Sequence, residues 1–566
     1  MKKILSTILI FALLFSVCAT SGALSLTIKE EDIITSGDLK YVILEDGTAS
    51  VVALNNENLT HLTIPSTIDE HPVSEIGWEA FRNNRKLESV TIEEGIHTIG
   101  YRAFQGCANL LYIDLPHSLR QFGANAFMDT AAYNSKENRD GYVRYIDNFL
   151  IYSTDNTLAR PATEYTVREG TIGIAACAFQ NHTALETVNF PDSLISIDDS
   201  AFDRCTSLTK ADLPKNLEHL GWGAFNGCAL KEVVIPEKIT KIDSYTFRGN
   251  PFRSINLHEG ITYMGWDAFA SCENLTEVTI PQSVTELSDS LFLYCDSLET
   301  INLHDNLTSV GYSVVYGTAF YNNPDNWAEG CLYIGDYLME TDPTLKGAVE
   351  VKEGTRLMAK NAFYNNADIT AVHLPESLEL IDNQAFDGCE NLAYVNIPEG
   401  VSVIGGHAFY GCTSLENIYI PESVTGIGYQ AFTDCTNLKT ITIANPETEF
   451  GEKAVGYYPV YDMAGDLIDY YATTDEITIR GLSGSSAEIY ANENGLNFEE
   501  IKVPTVIGDT DGDGTVTIKD ATYIQKALAN LIPLLREQKP FADADSDGKI
   551  TIKDATAIQK TVAKLS

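Results

Sequence analysis

A solenoid of stacked short parallel strands, closed by a small helical module of different make, is the fold class that this sequence predicts. Three observations carry it: a phenylalanine that returns every 22 or 23 residues, a strand-like alternation that returns with it, and two twelve-residue acidic loops near the C-terminus. At 566 residues the chain exceeds what one compact core holds. A repeat array escapes that limit, because each unit is covered by its neighbours.

The chain opens with Met1-Lys2-Lys3, an apolar run from Ile4 to Val17 and small residues to Ala23. This is the layout of a secretory signal peptide over 1–23, with cleavage after Ala19 or Ala23, and it predicts a secreted, extracellular protein. Cys18 follows Phe15-Ser16-Val17, which lacks the small residue that normally precedes a lipidated cysteine. No later apolar stretch approaches the ~20 residues of a membrane span. The formal charge is −41, from 79 acidic and 38 basic residues. Such a surface repels phosphate backbones and anionic headgroups, so neither nucleic acid nor membrane insertion is expected.

The repeat is read on the motif Ala-Phe-x-x-Cys. Phe81, Phe104, Phe127, Phe179, Phe202, Phe225, Phe247, Phe269, Phe292, Phe363, Phe386, Phe409 and Phe432 share one position, and Val315 keeps the register in the longest gap. A typical unit runs Asn274-Leu275-Thr276-Glu277-Val278-Thr279-Ile280-Pro281. The alternation predicts a short strand with one buried face, ended by a proline that cannot donate to a ladder. One strand per repeat then stacks in parallel on the next, and the Leu, Val/Ile and Phe positions line up as core ladders.

Three residues after the Phe stand Cys107, Cys205, Cys228, Cys272, Cys295, Cys389, Cys412 and Cys435, with Asn84, Thr130, His182, Asn250, Thr318 and Asn366 in other units. Interchange of Cys, Asn and Thr points to a small buried group that bonds the backbone of a turn. Free thiols are therefore expected in place of a disulfide framework, although the chain carries eleven cysteines.

These residues resemble the bacterial surface-antigen type of leucine-rich repeat, the BspA-like family, over roughly Tyr41 to Ile501. The resemblance implies an α/β-type leucine-rich-repeat solenoid: a parallel β ladder with one short strand per ~23-residue repeat and an irregular convex side. The two long gaps resemble each other. Thr130-Ala131-Ala132-Tyr133-Asn134 recurs as Thr318-Ala319-Phe320-Tyr321-Asn322, and Tyr145-Ile146 through Leu150 recurs as Tyr333-Ile334 through Leu338. Both look like the enlarged, hairpin-bearing repeats of that family, and such protrusions often carry binding. Tyr41 to Ala49, with Asp46-Gly47 between apolar runs, suits an opening hairpin. Ile477-Thr478-Ile479 through Ile489 and Phe498 reads as degenerate closing rungs.

Past Pro504 the pattern changes. Asp509-Thr510-Asp511-Gly512-Asp513-Gly514-Thr515-Val516-Thr517-Ile518-Lys519-Asp520 recurs 34 residues on as Asp543-Ala544-Asp545-Ser546-Asp547-Gly548-Lys549-Ile550-Thr551-Ile552-Lys553-Asp554. Calcium takes six to eight oxygens, and carboxylates at positions 1, 3, 5 and 12 converge on one ion when the chain turns sharply at position 6. Gly514 and Gly548 stand there. The expected ligands of two Ca²⁺ ions are thus Asp509, Asp511, Asp513 and Asp520 with the Thr515 carbonyl and a water held by Thr517. In the second loop they are Asp543, Asp545, Asp547 and Asp554 with the Lys549 carbonyl and a water held by Thr551. Prolines precede each loop, so only an exiting helix is expected in each half.

This loop-plus-helix pair resembles the dockerin family from Val506 to Ser566, a small all-α calcium-binding domain. Nine of ten positions match between Thr517–Lys526 and Thr551–Lys560. The resemblance implies a cohesin module of a scaffold protein as partner. It places Ile518, Lys519, Gln525 and Lys526 in one half, and Ile552, Lys553, Gln559 and Lys560 in the other, on the cohesin-binding face. Near-identity of the halves implies that either helix can dock. The family often has Ser-Thr where this chain has Ile-Lys, which bears on the partner's subtype. The expected division is then a signal over 1–23, a cap hairpin and first rung over 24–72, and repeats over 73–445. The enlarged repeats lie at about 128–178 and 316–362, with a closing cap over 446–502 and the dockerin over 503–566.

No Gly-x-Ser-x-Gly, His-Glu-x-x-His, Cys-x-x-Cys or Gly-x(4)-Gly-Lys motif occurs. Outward strand residues such as Glu277, Thr279, Glu299, Asn302, His373, Tyr394, Asn396, Tyr419 and Thr442 are expected to line a shallow concave face. Trp78, Trp222 and Trp266, with Tyr101, Tyr312 and Tyr429, share the position three before the Phe, where they either stack on sugars or pad the turn. The leading expectation is a non-catalytic binding subunit of a cellulosome-like, polysaccharide-degrading complex, with an unassigned protein or glycan ligand on the solenoid. The alternatives are an enzyme acting on plant polysaccharide and a cell-surface adhesin.

Overall fold

The computed structural model describes residues 32–154, 161–461, 467–472, 476–502, 504, 506–528, 534 and 538–564. The expected signal segment and Cys18 lie outside them. The chain divides into two compact units: a first that runs to Asn306 and includes Val315–Asn322, and a second made of Leu307–Val314 and the chain from Asn323 on.

In the first unit the expected strands pair in parallel with the repeat's own offset. His61–Ile64, Ser89–Ile92 and Tyr112–Asp114 form one ladder, with Ser89 opposite Tyr112 and Thr91 opposite Asp114. Along Glu277–Thr279 the exposure alternates, with Val278 buried between two exposed neighbours. Each coil also has a second pairing of two residues: Gly173–Ile174, Ser196–Ile197 and His219–Leu220 stack in register. So short a stretch shows no periodicity that a sequence could reveal.

Hairpins start these second ladders. Ile34–Ser36, Leu39–Ile43 and Ala49–Leu54 are antiparallel, and the last then pairs in parallel with His71–Ile76. The first enlarged repeat adds Val143–Ile146 against Phe149–Ser153, and Phe149–Leu150 passes the ladder to Gly173–Ile174. In the second unit Cys331–Ile334 and Tyr337–Thr341 do the same ahead of Leu357–Met358 and the strands that follow. A carboxylate ties the strand before each enlarged repeat to the coil after it: Asp198 accepts from the Phe122 amide, and Asp382 Oδ2 accepts from Ser309 Oγ at 2.8 Å.

Each unit has stacked rings in its core. Phe104 and Phe127 stack at 4.9 Å and 4° from parallel, Phe202 and Phe225 at 5.2 Å, and Phe409 and Phe432 at 5.0 Å. Beside them runs the cysteine ladder, and each thiol donates to the carbonyl of the preceding Phe. Cys228 Sγ lies 3.1 Å from the Phe202 oxygen, and Asn250 Nδ2 makes the same bond to Phe225 at 2.8 Å. This is why Cys and Asn interchange. All ten described cysteines are free thiols.

The residues two before and two after the Phe have left-handed backbone. Tyr245 and Gly249 flank Phe247 at φ 60° and 72°, and Ser290 and Tyr294 flank Phe292 at 57°. Residue types at these positions vary widely, so the turn is imposed by stacking on the next coil and not by local preference.

Three expectations about the solenoid and its neighbour are corrected. Thr442 is buried, since its ladder partners are the larger Tyr419 and Arg480 on either side. Ile489 is exposed on a helix, Ser486–Glu493, which packs on the closing strand Thr478–Gly481 through its other face, where Ala487 and Ala491 are buried. A single helical turn, Lys539–Ala542, does enter the second acidic loop, with Pro540 in its first turn. There the missing amide hydrogen is not needed, so the proline is tolerated.

Candidate functional site

Two helices, Ile518–Leu528 and Ile552–Val562, follow the two acidic loops and share a small core of Ala521, Ile524, Ala542, Ala555 and Ile558. The second is closed by a capping box in which Thr551 and Asp554 satisfy each other's backbone amides. Gly514 and Gly548 turn the loops at φ 87° and 82°, conformations that glycine enters freely.

The turn brings Asp509, Asp511 and Asp520 together, with one carboxylate oxygen from each lying within 4.8 Å of the others. Asp543, Asp545 and Asp554 form the second such group. Asp520 is fully buried and organises its loop: Oδ1 accepts from the Thr510 and Asp511 amides at 2.7 and 3.1 Å, and Oδ2 accepts from Thr517 at 2.7 Å. Asp513 and Asp547 lie outside these groups and accept from the amides of Thr515 and Lys549, both at 2.9 Å. Thr517 and Thr551 use their hydroxyls to accept from Lys519 and Lys553 at 3.2 and 3.1 Å, a helix-capping role beside the ligand role expected of them.

Burial, and after it the charges of Asp520, Asp513 and Asp509, hold the Asp511 carboxyl above the usual carboxylate range. Asp509 Oδ2 accepts from Gly514, but its Oδ1 is buried with no donor in reach among the described residues. A buried oxygen without a partner, inside a ring of mutually repelling carboxylates, is the donor set of a hard divalent cation. The residues therefore fit calcium. Sequence spacing located the loops; the orphaned Asp509 oxygen emerges only from the fold.

The expected docking residues lie on the outside of both helices. Ile518 and Ile552 are 54% and 57% exposed, which is unusual for isoleucine, and Lys519, Lys553, Gln525, Lys526 and Lys560 are exposed with them. Gln559 is half-buried. Because Ala521 and Ile524 share a core with Ala555 and Ile558, the same surface is presented twice. On the solenoid, Trp222 packs against Tyr245 at 5.1 Å, whereas Trp78, edge-on to Tyr101, keeps 68% exposure.

Comparison with known proteins gives these regions their class. The model of the BspA type leucine rich repeat region matches residues 49–160, 159–229, 220–337 and 356–460, more than half of the chain. The chain belongs to this family. Residues 507–563 match the model of the dockerin type I domain, a calcium-binding module whose partner is a cohesin.

Among solved structures, a leucine-rich repeat protein from Bacteroides ovatus is similar at 22% identity and TM-score 0.27, over 83% of this chain and 100% of that one. A leucine rich cell surface protein from Faecalibacterium prausnitzii is similar at 20% identity and TM-score 0.24, over 73% and 95%. A leucine-rich repeat protein from Eubacterium ventriosum is similar at 16% identity and TM-score 0.28, over 77% and 98%. No curated protein matches the chain. Among the described residues no helix is long and apolar enough to cross a membrane.

Proposed function

We propose that this chain is a secreted, non-catalytic binding subunit that its dockerin, 503–566, anchors to a cohesin-bearing scaffold in a cellulosome-like, polysaccharide-degrading assembly. Its repeats, 73–445, with their caps at 24–72 and 446–502, then form the surface that takes a protein or glycan ligand. Each acidic loop holds one Ca²⁺ ion, through Asp509, Asp511, Asp513, Thr515, Thr517 and Asp520 in the first and Asp543, Asp545, Asp547, Lys549, Thr551 and Asp554 in the second. The ion supplies the positive charge that lets these oxygens converge, and the helix that leaves each loop is thereby held in place.

One observation carries the reading: two ligand-rich loops each launch a helix whose exposed face repeats that of the other. The non-catalytic part is supported by the two matched families, neither of which is catalytic. Capture of the full chain by an immobilised type I cohesin in calcium, and its release by EDTA, is the test. Ile518→Ala with Lys519→Ala is expected to leave capture nearly intact, because the second helix docks instead. Adding Ile552→Ala and Lys553→Ala abolishes it. Failure of every cohesin tried to retain the chain in calcium would sink the docking role. Hydrolysis of a cell-wall polysaccharide that one carboxylate substitution stops would sink the non-catalytic one.

A further inference from the structure

On the first unit, the strand face meets the wall of the first enlarged repeat at a notch of about 270 Å³. Ser89 and Thr91 lie opposite Tyr112 and Asp114 on paired strands, and Asn138 and Asp147 close the notch from the enlarged repeat. Tyr112 is 71% exposed. Burial, and after it the charge of Asp114, raises the Asp147 carboxyl above its usual range, while His117 acts in the opposite sense. Among the described residues no lysine, arginine or histidine lines the notch.

The chain contains its own control, because the second enlarged repeat repeats the first. Counted from Phe127 and Val315, Tyr112 and Asp114 correspond to Thr300 and Asn302; counted along the hairpin, Asp147 corresponds to Gly335. The hairpin turn is left-handed in both, φ 50° at Asp147 and 61° at Gly335. Glycine enters this region freely and aspartate is one of the few other residues that visits it, so the turn admits a carboxylate in the first copy without requiring one. An amide like that of Asn302 bonds sugar hydroxyls as well as a carboxylate does. The second copy carries its carboxylates elsewhere, Glu277 and Glu299 standing where the first has Ser89 and Leu111; what the first copy alone possesses is the facing pair Asp114 and Asp147 beside an exposed ring.

We propose that this notch receives a lysine or arginine side chain of a protein partner, its cation held between Asp114 and Asp147 and against the Tyr112 ring. Two carboxylates with no basic residue among those lining their notch gain most from a cation, and a tyrosine face adds to the attraction. The occupant is thus a basic segment, which a surface of net charge −41 also steers inward. This deepens the reading of the solenoid as the binding part of the chain and rests on it.

The probe is a triarginine amide, titrated calorimetrically into the full chain in calcium, with the uncharged tricitrulline amide and cellohexaose beside it. Triarginine is expected to bind and the other two are not. Asp114→Asn with Asp147→Asn weakens triarginine by about tenfold, the factor that two exposed ion pairs supply together. Tyr112→Ala weakens it less. Glu277→Gln with Glu299→Gln, which removes equal charge from the same type of face, leaves it within about twofold, the effect of distant screened charges. The proposal is overturned if triarginine does not bind, if both double variants lose equally, or if tricitrulline or cellohexaose binds as well. Cohesin capture of the Asp114/Asp147 variant is expected unchanged and verifies its folding, so failure here and failure of the docking role are separable.

Discussion

Glu340 sits in the strand Tyr337–Thr341 of the second enlarged repeat, opposite Leu332 and between the buried Met339 and Thr341. Among the described residues no cation pairs with it, and burial alone pushes its carboxyl from the ordinary 4.5 up to about 7. Below pH 4.5 the group is protonated in folded and unfolded chains alike and contributes nothing. Between 4.5 and 7 the unfolded chain releases its proton while the folded chain keeps it, so stability falls as pH rises. Above pH 7 the whole penalty stands. At ~1.4 kcal/mol per unit the shift is worth up to about 3 kcal/mol, an upper bound because Glu340 keeps some contact with water. Glu340→Gln removes the ionisation and little of the shape. The variant is expected to match the parent within about 0.5 kcal/mol at pH 4 and to exceed it at pH 8. Urea unfolding followed by tryptophan fluorescence reads this, and Trp327, paired with Leu332 in the same hairpin, reports locally. Other titrating groups cancel in the difference. Equal gaps at pH 4 and pH 8, or a variant less stable at pH 8, would refute the reasoning.

Four further outcomes follow from the geometry. Asp520→Ala strands the amides of Thr510, Asp511 and Thr517 and is expected to cost about 3 kcal/mol or more, at ~1 kcal/mol or more per buried donor; proteolysis of the full chain in calcium should then nick the C-terminal module first, as EDTA makes it do in the parent. Cys228→Ala removes one of the two donors to the Phe202 carbonyl, which the Cys205 amide still reaches at 3.1 Å, and costs about 1 kcal/mol by denaturant unfolding. Burial raises the Cys389 thiol to about 12, so of the ten described thiols the half-buried Cys177 alone is expected to react with a thiol reagent before unfolding, and reductant should not shift the unfolding midpoint. Gly223→Ala meets no side chain or backbone closer than 3.6 Å, yet φ 58° makes it cost about 1 kcal/mol in thermal or urea unfolding, whereas an alanine tolerated without loss would mean the turn is not held as described.

Much of the solenoid was readable because a repeat is a one-dimensional signal. The spacing of Phe81 through Phe432 already implies a ring column, and the exchange of Cys228 for Asn250 already implies a shared backbone bond. The paired two-residue strands were not readable, since Gly173–Ile174 has no alternation to detect. Nor were the left-handed turns, which Tyr245, Asp267 and Ser290 occupy against their own preference. The acidic loops were readable as loops, because a cation needs its oxygens at set intervals along a tight turn. That Asp509, Asp511 and Asp520 converge while Asp513 turns to Thr515 was not. The short helix at Lys539–Ala542 was not readable either, because proline breaks a helix interior yet suits a first turn, and the sequence alone does not say in which of the two Pro540 stands.

Sequence alone determined what is periodic or locally spaced: the stacked architecture, the free-thiol ladder, the acidic loops and the duplicated helix. Each depends on residues near one another along the chain, where the backbone's own geometry sets the distance. Tertiary structure decided what brings distant residues together: the notch that joins Tyr112 to Asp147, the burial of Glu340 and of Thr442, and the Asp198 bond to Phe122 across an enlarged repeat. Those outcomes depend on which coil lies against which, and on the water that such packing removes.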